Sequence, residues 1–206
     1  MNQSDLFKII NNHKDKGLPF VVYNEPYSEE IIAKLQINDK LHIDSDLSNG
    51  AFVFAPFDSE KFDKIYMPFD NCKSYKSIYF DKAIKSNLKR KISDNKLNKS
   101  AHVNLINKSL LVINDGILKK VVLSRVEAMS ITSVDLATVF QKLLSFYKNS
   151  FVYIWFHPKV GFWLGASPEK LLTIQDHFMQ TVALAGTTRK GSDGLVSWSD
   201  KEIKEQ

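Results

Sequence analysis

Between Phe151 and Ala185 the chain carries apolar runs joined by connections too short to hold a helix, which restricts this stretch to antiparallel pairing. FVYIWF (151–156), GFWLGA (161–166) with its continuation KLLTI (170–174), and HFMQTVALA (177–185) read as strands. Turns fall at Pro158 to Gly161 and at Gln175 to Asp176. Parallel neighbours need a crossover of a dozen or more residues, which such turns cannot supply. Upstream the hydrophobic period changes. Ser133 can cap a helix whose Leu136, Val139, Phe140, Leu143, Leu144 and Tyr147 share one face. His102, Leu105, Ile106, Leu110 and Ile113 recur at helical spacing until Asn114, Asp115 and Gly116 supply a stop. Between these helices KKVVLSRVEAM reads as a strand. Near the N-terminus, Ser4 can cap a helix through Leu6, Phe7, Ile9 and Ile10 that stops at Gly17, followed by the strand LPFVVY. GAFVFAPF (50–57) predicts a further strand, with one face on a core. A helix near 76–92 has no sharp ends, and Ser199 with Glu202 three positions on opens a last helix. The whole predicts an α+β fold: a meander-like antiparallel sheet with flanking helices.

A chain of 206 residues with 44% hydrophobic and 25% charged residues can bury a sizeable core, so disordered and fibrous classes drop out. Cys72, the single cysteine, has no internal disulfide partner, and no Cys/His cluster has zinc spacing. A reducing, cytoplasmic location is the simplest expectation. No window approaches the ~18 apolar residues of a membrane helix, so no membrane partner is expected. The net charge of +5 is concentrated between Lys73 and Lys99, where nine Lys/Arg face only Asp81 and Asp94. That segment lacks a nucleic-acid-binding pattern and reads as a solvated helix face and linker, not as a nucleic-acid site.

Three ionisable residues interrupt patterned runs. In an extended KKVVLSR, Lys120, Val122 and Ser124 share one face. Lys120 is then either a strand-end lysine whose ammonium reaches water, or a general base, which requires the amine to lose its proton near neutrality through desolvation or neighbouring cations. Glu169 follows Pro168, which holds Ser167 extended; it is either a solvated turn carboxylate or a well-positioned acid. Glu205 is either a helix-surface partner of Lys201 or a metal ligand that needs further oxygen donors. ALAGT (183–187) is a small-residue turn that lets backbone approach a ligand. His157 reads as a strand-end residue without a visible partner, and Trp155 and Trp163 read as core aromatics. The Gly165 to Ser167 turn lacks the GxxxxGK phosphate-loop pattern.

Taken in order, KVVLSR, GASPEKLL, ALAGT and the terminal KEIKEQ resemble the motifs of the chorismate-utilising enzymes, the family of isochorismate synthases, salicylate synthases, anthranilate synthase large subunits and aminodeoxychorismate synthases. The resemblance is specific between about residues 101 and 206. It implies a first part of the family's chorismate-binding catalytic domain over 101–206, preceded by a variable N-terminal region over 1–100. It also implies chorismate as substrate and magnesium (Mg2+) as cofactor. By the same resemblance Lys120 is the base that activates water for attack at ring carbon 2, and Glu169 the acid that protonates the departing hydroxyl at carbon 4. Gly186 and Thr187 form a turn contacting the substrate, and Glu205 is a magnesium ligand.

Two positions narrow the subfamily. Anthranilate synthases usually carry glutamine where this chain has Lys120, and aminodeoxychorismate synthases often carry lysine where it has Ala185. Both differences imply water as the nucleophile and an isochorismate synthase, serving menaquinone or siderophore synthesis, with salicylate synthase as the nearest alternative. Gln206 departs from the histidine many members have after the glutamate. The family's domain continues well beyond this point, so the chain is expected to be a fragment that lacks a C-terminal half needed for activity. A non-catalytic remnant or binding module is the alternative from another class; retention of Lys120, Glu169 and Glu205 argues against it.

Overall fold

The computed structural model describes residues 1–43, 47–79, 96–128, 135–182, 188, 191 and 196–204, without the side chains of 96–98 and 201–202. Two compact units emerge, one of Met1–Ile84 with Asp135–Gln206 and one of Lys85–Val134.

The larger unit is built on five antiparallel strands. In chain order its elements are α1 (Gln3–Asp15), β1 (Phe20–Asn24), β2 (Glu30–Gln36), β3 (Ala51–Phe54), β4 (Ile65–Pro68) and β5 (Cys72–Ile78). The smaller unit contributes α2 (Lys96–Asn114), after which come α3 (Leu136–Phe146), β6 (Phe151–His157), β7 (Gly161–Ser167), β8 (Thr173–Gln175), β9 (Phe178–Gln180) and α4 (Asp200–Lys204). The sheet order is β5-β2-β1-β6-β7, so β1 lies between β2 and β6, with Val22 opposite Ala33 on one side and Ile154 on the other. The expected β6–β7 hairpin is present, with His157 opposite Gly161, and Asp176 (φ 53°) turns the β8–β9 hairpin. A meander is not: residues 20–24 and 151–157, distant in sequence, are neighbours inside the sheet, because both are apolar on each face and only strands inside a sheet are covered on both.

Alternation sorts the side chains into two layers. Phe20, Val22, Ile31, Ala33, Leu35, Val152 and Ile154 face α1 and α3, meeting Leu6, Phe7, Ile10, Leu136, Phe140 and Leu144. The opposite face carries Val21 and Trp155 against Met67, with Phe52 and Phe54 of the β3–β4 hairpin packed over them; Phe54 stacks on Trp155 at 4.6 Å. Each such fully buried side chain contributes roughly 1.5–3 kcal/mol. Cys72 is half-buried, its thiol donates to the Pro68 carbonyl, and desolvation pushes its pKa up to about 11 against the opposing pull of Lys34, so it is a packed thiol rather than a nucleophile.

Helix ends follow local chemistry. Gly17 (φ 70°) and Gly116 (φ 73°) both close helices with paired bonds back to the last turn, Gly17 N–H to Lys14 and Leu18 N–H to His13, Gly116 N–H to Ile113 and Ile117 N–H to Val112. The first cap is Asn2, not Ser4. Its Oδ1 accepts from Asp5 N–H while its Nδ2 donates to the Asp5 carboxylate, a reciprocal pair that starts the helix earlier. The α3 cap is Asp135, which accepts from Ala137 N–H; Ser133 lies outside the described residues, and Tyr147 follows the helix and is exposed.

Other expectations change. Residues 76–78 belong to β5, where Lys76 pairs with Ile32, and the remainder of a helix near 76–92 falls outside the described residues apart from Tyr79. Residues 119–128 form no strand among the described residues, since β structure exists only through ladder bonds to a neighbour and none pairs with them there. Trp163 is 48% exposed because β7 is the outermost strand of the sheet. Among the described residues no helix is long and apolar enough to cross a membrane.

Candidate functional site

GASPEKLL begins on β7 and ends in the turn beyond it. Gly165 lies opposite Tyr153 of β6, and the tyrosine ring lies across it: a Cβ there would stand 3.0 Å from Tyr153 Cε1 and 3.2 Å from its hydroxyl oxygen. Rings of Phe52, Phe54 and Phe151 surround Tyr153 at 6.2, 6.5 and 6.0 Å, so it has little room to yield. Burial also raises the Tyr153 hydroxyl above its ordinary value. A strand glycine under an aromatic ring is a close-approach device. Gly165→Ala is therefore expected to cost about 1–3 kcal/mol, the usual penalty of overpacking. Scanning calorimetry reads this as a lower Tm; an unchanged Tm would show that the Tyr153 ring gives way freely.

After Ser167 the chain leaves the sheet. Pro168, Glu169 and Lys170 are all exposed, and the Ser167 hydroxyl donates to the Glu169 backbone carbonyl across 3.5 Å. Glu169 sits between two residues that line a surface cleft of about 230 Å3, shared by Pro168, Lys170, Tyr27, Asn149 and Gln180. Tyr27 reaches it from the β1–β2 loop, where its backbone is left-handed (φ 62°), a conformation that costs a non-glycine residue about 1 kcal/mol or more. A lysine with two carboxamides suits an anionic group. At this size, below the ~300 Å3 at which small-molecule pockets usually begin, the cleft holds one end of a ligand.

Lys120 belongs to the other unit. It lies beyond Gly116 in the stretch without regular structure, and its side chain is exposed. Later in the same motif, Ser124 and Arg125 line a second cleft of about 210 Å3 with Ala101, His102 and Leu105 of α2. Arg125 Nη2 pairs with Glu127 Oε2 at 3.1 Å, and His102 Nδ1 is buried with no hydrogen-bond partner among the described residues.

Of the residues singled out from sequence, Lys120 and Glu169 thus fall in different compact units, while Gly186, Thr187 and Glu205 lie outside the described residues. Among the described residues no three or more His, Cys, Asp or Glu side chains gather as a metal site would require. By themselves they do not make the oxygen cage that magnesium prefers. Sequence reasoning missed Tyr153, Lys170 and Tyr27. The glycine at 165 was the available signal for the first, since a glycine inside a strand marks a close approach; nothing local marked the other two, which the β1–β2 loop and the end of β7 bring to one cleft.

Over 101 residues the chain is 33% identical to anthranilate synthase component 1 of Saccharolobus solfataricus, a stretch covering 48% of this chain and 23% of that protein. The chain therefore spans about a quarter of the length of the curated relative it matches. No solved structure matches it. The family described as "Chorismate binding enzyme" matches residues 58–204, starting well ahead of the first motif and taking in β4 through α4. With more than half of its length inside that match, the chain belongs to the chorismate-binding enzyme family.

Proposed function

We propose that the chain provides the lysine and the acid of an isochorismate synthase, which adds water to chorismate at ring carbon 2 and expels the hydroxyl at carbon 4. The observation that carries this reading is Lys120 in KVVLSR, where resemblance to the family associates lysine with water as nucleophile. The neutral Lys120 amine accepts a proton from water as its oxygen attacks carbon 2. Both ring double bonds shift, C1=C2 to C1=C6 and C5=C6 to C4=C5, and Glu169 donates a proton so that the carbon 4 hydroxyl leaves as water, because a hydroxyl is a poor leaving group unless protonated. Lys170, Asn149 and Gln180 beside Glu169 suit a carboxylate of the substrate. A neutral amine requires desolvation; Lys120 is exposed, so substrate binding has to exclude water from it.

Magnesium, when bound, screens the substrate carboxylates. Glu205 is proposed as one ligand, with the other donors outside the described residues. Because the matched stretch is 23% of its relative, activity is proposed to require further polypeptide carrying those donors. A second reading, an anthranilate-forming enzyme, is favoured by the identity to anthranilate synthase component 1.

Product chromatography separates the readings. The catalytic domain containing this chain, supplied with chorismate, magnesium and an ammonium salt, is expected to form isochorismate. Anthranilate would overturn the proposal in favour of the second reading, and salicylate would move it to the sister activity. Lys120→Ala is expected to reduce turnover by about 10^2–10^4 while leaving calorimetric chorismate binding measurable. Unchanged turnover would remove Lys120 from the role of base.

A further inference from the structure

His157, the last residue of β6, is only 2% exposed and has partners on both ring nitrogens. Nδ1 accepts from the Lys159 backbone N–H at 3.1 Å, which leaves Nε2 as the protonated nitrogen, and Nε2 reaches the Lys40 carbonyl at 3.5 Å. The same carbonyl accepts from Gln36 Nε2 at 2.8 Å, and Gln36 also donates to the Asn38 carbonyl. Residues 37–42 thus form a strap tied at both ends. Ile37 N–H donates to Asn71, and Tyr66 N–H donates to the His42 carbonyl, which joins the strap to β4. His42 is itself buried, with Nε2 lacking a partner among the described residues.

We propose that His157 is a proton-operated latch: neutral, it holds the 37–42 strap and through it the β3–β4 hairpin against the end of β6, and protonated, it lets them open. A second ring proton on Nδ1 would face the Lys159 N–H and remove the acceptor that amide has among the described residues. The charged ring would also face Lys159 and His42, with Asp39 as the opposing charge among the described residues. A buried charge so placed is costly, and the ring relieves the cost by moving into water. Desolvation holds both His157 and His42 below the ordinary imidazole value; the Lys40 carbonyl and Asp39 oppose this for His157, while Lys159 and His42 add to it, and Lys40 adds to it for His42. With the closed-state value lowered, the open state takes the proton first. The latch is therefore closed above about pH 6.5 and weakens as pH falls from there toward the lower value of the buried ring. It acts at the His157–Gly161 end of the hairpin, the opposite end from Ser167 and the GASPEKLL turn, so it governs the β3–β4 layer and does not rest on the proposed reaction.

Amide hydrogen exchange of this chain at pH 7.5 and 5.5, normalised to intrinsic rates, tests the latch. At pH 5.5 the amides of Tyr66 and Lys159 are expected to lose protection several-fold, up to the ~10-fold that one proton taken up near pH 6.5 allows, while β1 amides change less than ~2-fold, a local opening. His157→Gln, which keeps a donor and an acceptor but takes up no proton, is expected to abolish that difference. The imidazole titration of His157 in the unmodified chain gives an independent reading, with a midpoint below ~6.5 that coincides with the exchange change. Loss of protection spread evenly over the sheet, an unaltered pH response in His157→Gln, or a His157 midpoint at or above ~6.5 would each overturn the proposal.

Discussion

Phe140→Ala is expected to lower the stability of the larger unit by about 3–5 kcal/mol, the cost of emptying a fully buried aromatic site. Phe140 is completely inaccessible, meets Phe7 at 5.8 Å, and stands in the layer where α1 and α3 cover β1, β2 and β6. Leu136 and Leu144, one turn to either side, are also buried, so neighbouring side chains have little freedom to refill the space. Against a typical total of about 5–15 kcal/mol, such a loss removes a large part of the folded margin. Urea unfolding followed by circular dichroism measures it directly, with the slope showing whether the transition stays two-state. Phe178→Ala provides the contrast. Its ring is 81% exposed on β9, so the expected change is within about 0.5 kcal/mol. Should the two variants lose equal stability, α3 is not docked on the sheet as described.

Glu169→Gln is the corresponding experiment for chemistry. The amide matches the carboxyl in size but cannot release a proton to a departing hydroxyl, so turnover of chorismate by the catalytic domain is expected to fall by about 10^2–10^4 with KM changed far less. Because Glu169 is exposed and its side chain makes no hydrogen bond or ion pair among the described residues, unfolding should shift by no more than about 0.5 kcal/mol. That separation matters: a drop in kcat without a drop in stability locates the effect at the reacting bonds. Equal kcat in the two proteins would remove Glu169 from the mechanism and leave Lys170 and its neighbours as a binding cleft alone.

What could be read from the residues was local. Gly17 and Gly116 end their helices because a left-handed residue lets two amides fold back onto orphan carbonyls, an arrangement that depends on a handful of neighbouring positions. The β6–β7 hairpin follows in the same way from the short Pro158 to Gly161 connection. The cap at Asn2 was missed by two residues, since Asn2 and Ser4 both carry suitable oxygens and only the reciprocal bond with Asp5 separates them. The motifs were legible as a family resemblance, and the family match over 58–204 agrees with it at the level of chorismate binding.

Pairing across long stretches of chain was not legible. Nothing near Phe20–Asn24 announces that its second neighbour is Phe151–His157, because two apolar strands of similar length fit many registers until helices and hairpin cover both faces. His157 illustrates the same limit. Its sequence neighbours offer one partner, Lys159, whereas the other, the Lys40 carbonyl, arrives only when the strap after β2 crosses the end of β6. The amino-acid order by itself determined helix stops and the hairpin turn, since those energies arise within a few residues. Tertiary structure alone decided which strands became central, which tryptophan was covered, and which polar atoms found partners, since burial and hydrogen-bond satisfaction depend on what the rest of the chain places alongside.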